Sequence, residues 1–307
     1  MDNPHDKLFK ETMSRKENAV SFFREYLSED IVSNADWRTL SISKDSFIDE
    51  ELKERFSDIV YTVRVRGKQM FIYILLEHQS YVDPWMAFRV LRYMIKIWEL
   101  FIKQNPDAKK LPGILPVVFY HGKDKWKTNK YFKNLIKNQN LMESYIPDFE
   151  YVLKDFSIYT DEEIKGSVML RLFLAVIKNA DLPGFVNEFK KLVPLFVELS
   201  KKKTGMEYIE AILRYIFNVS EVLKPKDVED VLIKALEENK RGAIMTIAEQ
   251  LRKEGEIKGE IKGEIKGKIK TYQELLTTGL LPRELAEKKI AELIEELKNL
   301  NVQFQTD

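Results

Sequence analysis

Two acidic residues inside otherwise apolar, strand-like stretches are the side chains best placed to do chemistry. They are Asp58, in Phe56-Ser57-Asp58-Ile59-Val60-Tyr61, and Glu77, in Leu75-Leu76-Glu77-His78-Gln79. Period-two alternation gives each stretch one apolar face, through Ile59, Tyr61, Val63 and Val65, then Met70, Ile72, Ile74 and Leu76. A turn over Arg66-Gly67-Lys68-Gln69 joins them as a hairpin. A two-residue loop at Gly67-Lys68 pairs Arg66 with Gln69, and a four-residue loop pairs Val65 with Met70. Both registers set Asp58 directly opposite Glu77, with Cβ atoms about 4.5–5.5 Å apart. Carboxylates that close repel each other unless a cation lies between them. Oxygen donors of this kind suit Mg²⁺ or Mn²⁺, other divalent cations being alternatives. Gln79 projects from the same face and completes a small polar cluster. The competing reading is an edge hairpin whose acids face water. Against it, Met70–Leu76 is apolar on both faces, as in a covered strand, and an acid ending such a strand needs a partner.

The whole chain narrows the classes open to it. At 307 residues with a 44% hydrophobic fraction, it supports a packed core and has room for two domains. Fifty Lys and Arg against forty-nine Asp and Glu give +1, so any nucleic-acid surface must be local. No apolar run has the length of a membrane span, and Met1–Asp6 does not read as a signal peptide, so no membrane partner is expected. The absence of cysteine excludes disulfides, thiolate zinc sites and a cysteine nucleophile, and fits a cytoplasmic protein. The three histidines, His5, His78 and His121, form no readable zinc motif.

The elements that must position the acids follow from periodicity. Residues 7–28 read as one helix, Trp37–Ile42 as a short strand, and then comes the hairpin. Asp83 and Pro84 suit the N-cap and first position of a helix running to about Gln104. Ile114–Tyr120 and Tyr151–Phe156 read as further strands, so residues 1–160 form an α/β domain. Residues 161–250 show helical periodicity alone, with breaks at 181–184, 203–205 and 224–225. The tail, 251–307, holds four units of four residues, from Gly255-Glu256-Ile257-Lys258 to Gly267-Lys268-Ile269-Lys270, and a final charged amphipathic helix. On a helix the units stack Ile257, Ile261, Ile265 and Ile269 into a slowly drifting ribbon flanked by Glu and by Lys. Opposite charges two residues apart do not pair within one helix. Two parallel helices joined along the ribbon would match Glu against Lys, which points to a homodimer. The competing reading is a solvated, slippage-prone repeat in which four glycines weaken the helix by about 1 kcal/mol each.

The order of these residues carries a family resemblance. His5-Asp6-Lys7-Leu8-Phe9-Lys10, Ser57-Asp58-Ile59-Val60-Tyr61, Leu76-Glu77-His78-Gln79-Ser80, Met86 with Arg89 and Tyr93, and Leu115–Gly122 with Trp126 occur in sequence. Together they resemble the recombination-promoting nuclease (Rpn) family, the YhgA-like transposases, within the PD-(D/E)XK nuclease superfamily. The resemblance implies a restriction-endonuclease-like core, a central mixed sheet flanked by helices, followed by an all-α region. It implies that Asp58 and Glu77 bind the metal, that the main-chain carbonyl of His78 adds a third donor, and that Gln79 completes the catalytic set. Gln79 stands where the superfamily usually has Lys; a neutral amide would orient the attacking water rather than supply charge. The activity implied is metal-dependent cleavage of DNA phosphodiesters in recombination or mobile-element biology. A different reading is a DNA-binding or assembly protein that keeps the fold with little turnover.

Further residues have two readings each. Asp6 and Lys10 could border the site or form an i,i+4 ion pair. Arg89 and Tyr93 share a helix face and could contact phosphate or pack on the sheet. The segment 121–137 is the best local DNA surface: Lys123, Lys125, Lys127, Lys130, Lys133 and Lys137 surround Trp126, Tyr131 and Phe132. Lysines would neutralise phosphates and an aromatic ring could stack on an unpaired base; the alternative is a solvated charged face.

Overall fold

The computed structural model of the chain describes residues 4–43, 57–77, 82–220 and 222–303. His78 and Gln79 therefore lie outside the described residues, as do the side chains of Asp58 and Glu77. The chain divides into two compact units, His5–Ala180 and Asp181–Asp307.

The first unit begins with α1 (Pro4–Met13), α2 (Lys16–Tyr26) and α3 (Glu29–Asn34). The single helix expected over 7–28 is thus two. Arg15 leaves helical geometry at φ −79°, ψ 113°, and buried Asn18 donates to the freed Thr12 carbonyl at 3.0 Å. The strands β1 (Ala35–Ile42), β2 (Ser57–Val65), β3 (Lys68–Glu77), β4 (Gly113–Tyr120) and β5 (Val152–Asp155) form one sheet in that order. β1–β2–β3 is an antiparallel meander; β4 pairs with β3, and β5 with β4, in parallel. The parallel β3–β4 pair needs a crossover, supplied by α4 (Met86–Gln104).

The hairpin register corrects the expected one. Val65 pairs with Lys68 and Asp58 with Leu75, so Asp58 is not opposite Glu77. The loop is Arg66-Gly67, with φ of 49° and 76°. Positive φ at both central residues is the two-residue turn whose twist suits a hairpin. Arg66 is an unusual occupant, but Asn34 holds it: the Arg66 amide donates to the Asn34 carbonyl at 3.1 Å and its Nε to Asn34 Oδ1 at 2.9 Å.

Helices cover both faces of the sheet. On one, Met86, Ala87, Val90, Tyr93, Met94 and Ile97 of α4 pack on Val60, Phe71 and Val118. On the other, aromatic rings dominate: Phe119 lies 5.4 Å from Phe9, 5.9 Å from Phe22 and 4.8 Å from Phe156. Phe173, on α5 (Val168–Asn179), joins this cluster 5.9 Å from Phe119. Burial of α5 there extends the first unit to Ala180, past the boundary at 160 read from periodicity.

The second unit contains α6 (Phe185–Ser200), α7 (Gly205–Val219), α8 (Pro225–Ala235), α9 (Glu238–Thr277) and α10 (Arg283–Gln303). The three breaks expected in the helical region fall at helix boundaries, with Gly205 and Pro225 the first residues of α7 and α8. α9 carries the tandem repeat and ends in a left-handed Gly279 at φ 69°. The amide of Gly279 bonds the Leu276 carbonyl and that of Leu280 the Leu275 carbonyl, a Schellman stop. α10 then returns along α9 in antiparallel sense, bringing Glu296 near Lys268 and Lys289 near Tyr272. Ile265 is 2% exposed and Ala286 fully buried in this hairpin, while Ile257, in the first repeat unit, is 49% exposed. The ribbon's third isoleucine is therefore covered within the chain. Within the repeat, Glu264 pairs with Lys268 at 2.7 Å, where the fourth unit has Lys in place of Glu, and at its ends Glu256 pairs with Arg252 and Lys270 with Glu274.

Candidate active site

Asp58 stands second in β2 and Glu77 last in β3. Since Asp58 pairs with Leu75, Glu77 lies two residues further along the neighbouring strand. A shift of two residues preserves alternation, so the two acids remain on one face of the sheet. They are diagonal neighbours, about 7–8 Å apart rather than directly opposed. Their face is the one α4 covers, as the burial of Val60 and Phe71 beneath that helix shows. The register alone fixes these two positions on neighbouring strands. The donor set fits Mg²⁺ or Mn²⁺ in chemical type. Among the described residues, no group of three or more His, Asp or Glu side chains is placed to hold a metal.

The strands beyond extend this level of the sheet. Glu77 pairs with Tyr120, and Tyr120 with Asp155, so three polar residues line up across β3, β4 and β5. Asp155 is buried and fully engaged. Its Oδ2 accepts from the Trp126 amide at 2.9 Å, and its Oδ1 from the Ser157 amide at 3.0 Å and hydroxyl at 2.6 Å. The Tyr120 hydroxyl donates to the Asp124 carbonyl at 2.8 Å. Its ring lies so close to Gly122 that a Cβ there would collide with the hydroxyl. These bonds fix the loop that leaves β4.

Several candidate ligands for DNA have other work. Trp126 is half-buried, with its Nε1 donating to Tyr151 at 3.0 Å and its ring edge-on to Tyr120 at 4.9 Å. These contacts anchor Trp126 in the loop. Phe132 is buried and stacks on Phe149 at 5.6 Å. Tyr93 is 3% exposed and packs in the core between α4 and the sheet. Arg89, on the next turn, pairs with Asp83 at 2.8 Å, both side chains largely covered. Asp83 also accepts from the Trp85 amide at 2.8 Å, so α4 starts at Met86 after a side-chain-closed turn instead of at Pro84.

Part of the basic loop's charge is already paired. Lys130 pairs with Glu150 at 3.9 Å and Lys133 with Asp148 at 3.0 Å. The bond to Asp148 holds the Lys133 ammonium above its ordinary pKa, and the bond to Glu150 does the same for the Tyr131 phenol. Lys123, Lys125 and Lys127 are exposed along the loop after β4. On α1, Asp6 is partly covered and Lys10 exposed.

Two features escaped the sequence reading. His5 and His121 are both buried, with ring centroids 5.1 Å apart. Their separation of more than a hundred residues left no local signal, although both belong to motifs already noted. Beside β5, half-buried Lys154 opens on a cleft of about 510 Å³ shared with Glu25, Tyr26, Tyr159, Glu163 and Lys165. Burial, reinforced by the charge of Lys130, holds the Lys154 ammonium below its ordinary pKa.

With this geometry in view, comparison with known proteins gives a consistent result. The family described as "Putative transposase, YhgA-like" matches residues 3–207. The chain is 29% identical over 257 residues to the recombination-promoting nuclease RpnA of Escherichia coli (strain K12), covering 82% of this chain and 85% of that protein. It is 29% identical over 258 residues to the recombination-promoting nuclease RpnD of Escherichia coli O157:H7, covering 81% and 94%. A protein of strain K12 named as an inactive recombination-promoting nuclease-like protein, RpnE, is 27% identical over 269 residues, covering 82% and 83%. No solved structure matches the chain. A family match over two thirds of the residues, spanning both acids and every strand around them, makes the chain a member of the YhgA-like transposase family.

Proposed function

We propose that the protein is a divalent-metal-dependent DNA endonuclease acting in recombination or mobile-element biology, built on a PD-(D/E)XK-type core. The observation that supports this reading is the register of β2 and β3, which sets positions 58 and 77 a diagonal step apart on neighbouring strands. The names of the relatives RpnA and RpnD support it. In this reading Asp58, Glu77 and the His78 carbonyl hold Mg²⁺ or Mn²⁺, and the Gln79 amide orients the attacking water. The cation, when bound, lowers the pKa of water and offsets charge developing on the phosphoryl oxygens. Lys123, Lys125 and Lys127 neutralise backbone phosphates of the substrate.

Nicking of supercoiled plasmid by the purified protein, with and without Mg²⁺ or Mn²⁺, tests the assignment. Asp58→Asn and Glu77→Gln should each reduce nicking to background while leaving the circular dichroism spectrum unchanged. Nicking that survives either substitution overturns the metal-site assignment.

A second reading is a DNA-binding or assembly protein with little turnover, which the relative named as inactive favours, being nearly as similar over the same share of this chain. DNA binding that persists in EDTA, without cleavage in any divalent metal, would select it.

A further inference from the structure

The outward row of α4 is apolar. Trp85 at its N-cap, then Phe88, Arg92, Ile95, Glu99 and Ile102, are exposed and recur at intervals of three and four along one side of the helix, with Lys103 and Gln104 exposed at its end. Trp85 is 60% exposed, Phe88 47%, Ile95 43% and Ile102 53%. The opposite side of α4 already fills the core with Met86, Val90, Tyr93 and Ile97, so packing within the unit does not account for the outer row. A contiguous exposed apolar stripe marks a contact surface.

The pattern also says what fits it. Phe88, Ile95 and Ile102 repeat every seven residues, the spacing of a helix–helix seam. Leu91 and Trp98 flank the seam on one side; Arg92 and Glu99 flank it on the other. Consider a second copy of α4 laid antiparallel, related by a two-fold axis level with Ile95. Phe88 meets Ile102 of the second copy, and the two Ile95 side chains meet each other. The same operation keeps each flank on its own side. Leu91 therefore lies beside the other Trp98, and Arg92 beside the other Glu99, offset by one residue's rise. A parallel pair crosses the flanks and sets both charges against Leu91 and Trp98. Glu99 pairs with Lys96 at 3.4 Å, a solvent-exposed contact that costs little to exchange. We propose that this face is the interface of a two-fold homodimer in which α4 packs antiparallel on α4 of a second copy, with two Arg92–Glu99 pairs setting the direction.

The chain has no cysteine, so introduced thiols report the geometry directly. Phe88 and Ile102 are about 21 Å apart along their own helix, too far to bridge within one chain. Full-length Phe88→Cys and Ile102→Cys proteins, mixed and oxidised, should give the mixed cross-linked dimer; neither alone should cross-link efficiently. Cross-linking of each variant with itself but not with the other indicates a parallel pair and overturns the proposal. In sedimentation, the parent chain should be dimeric and Ile95→Asp monomeric, at an exposed position where folding is not at stake. Arg92→Glu should weaken the dimer about tenfold, since it turns two attractions into two repulsions. Adding Glu99→Arg should restore it. A monomeric parent, or a dimer insensitive to Ile95→Asp, means that something else covers this face or nothing does, and rejects the interface.

Discussion

The four glycines of the tandem repeat offer the most direct test of how α9 is built. Gly255, Gly259, Gly263 and Gly267 are helical and exposed, and a Cβ built on any of them meets no atom within 4 Å outside the local backbone. None serves a close approach, so each carries the entropic penalty of glycine with no packing in return. Replacing one by alanine should stabilise the helix by about 0.5–1 kcal/mol, and replacing all four by about 2–4 kcal/mol. Hydrogen exchange of the α9 amides is the suitable assay, because two units need not unfold together and one melting temperature would mix them. In the quadruple variant, protection through the repeat should rise about 30- to 1000-fold, with no change for amides of β2–β4. The reasoning fails if protection falls, or if the variant changes mass in sedimentation. Either result means that the glycine row is a packing surface against another helix, where a methyl group intrudes.

Two other perturbations follow from burial and charge. Ile265→Ala should cost about 2–4 kcal/mol in unfolding of the helical unit, whereas Ile257→Ala, half exposed, should cost under about 1 kcal/mol; urea titration followed by helix signal checks the contrast. Lys154→Met should stabilise the first unit at pH 7, because the fold disfavours the charged ammonium that both folded and unfolded chains carry there. The folded chain releases this proton first as pH rises, so the advantage should shrink towards pH 10.5, the ordinary lysine value. Equal stability of variant and parent at pH 7, or an advantage that grows with pH, would refute the assignment of Lys154 as a strained cation.

The sequence made the faces of the hairpin legible but not its register. Alternation of Ile59, Tyr61 and Val63 reads Asp58 and Glu77 onto one face, and the observed two-residue shift of register keeps positions 58 and 77 in the same phase. The register depends on which two residues turn, and Arg66 in a left-handed conformation is held by Asn34, whose approach depends on tertiary structure. Composition also left the packing of the basic loop unread. Trp126 and Phe132 among lysines looked like stacking residues, yet Asp155, Tyr151 and Phe149 claim them from a strand and loop some twenty or thirty residues away. The same holds for Tyr93: helical spacing placed it beside Arg89, but only the fold shows that its side of α4 faces the sheet. His5 and His121 meet because α1 covers the end of β4, a contact with no trace in local pattern.

The helical hairpin of α9 and α10 has a property that follows from the repeat's likeness to itself. One unit advances a helix by about 6 Å and turns it by about 40°. A unit gained or lost upstream leaves the final units against α10 as before, because the Schellman stop at Gly279 ties α10 to the end of α9. What changes is the length of the unpaired neck, of which Ile257 is already a part. Copy number thus sets the reach of this arm in steps of about 6 Å while the seal at its tip stays constant, and the glycines of the neck make it the segment that bends most readily.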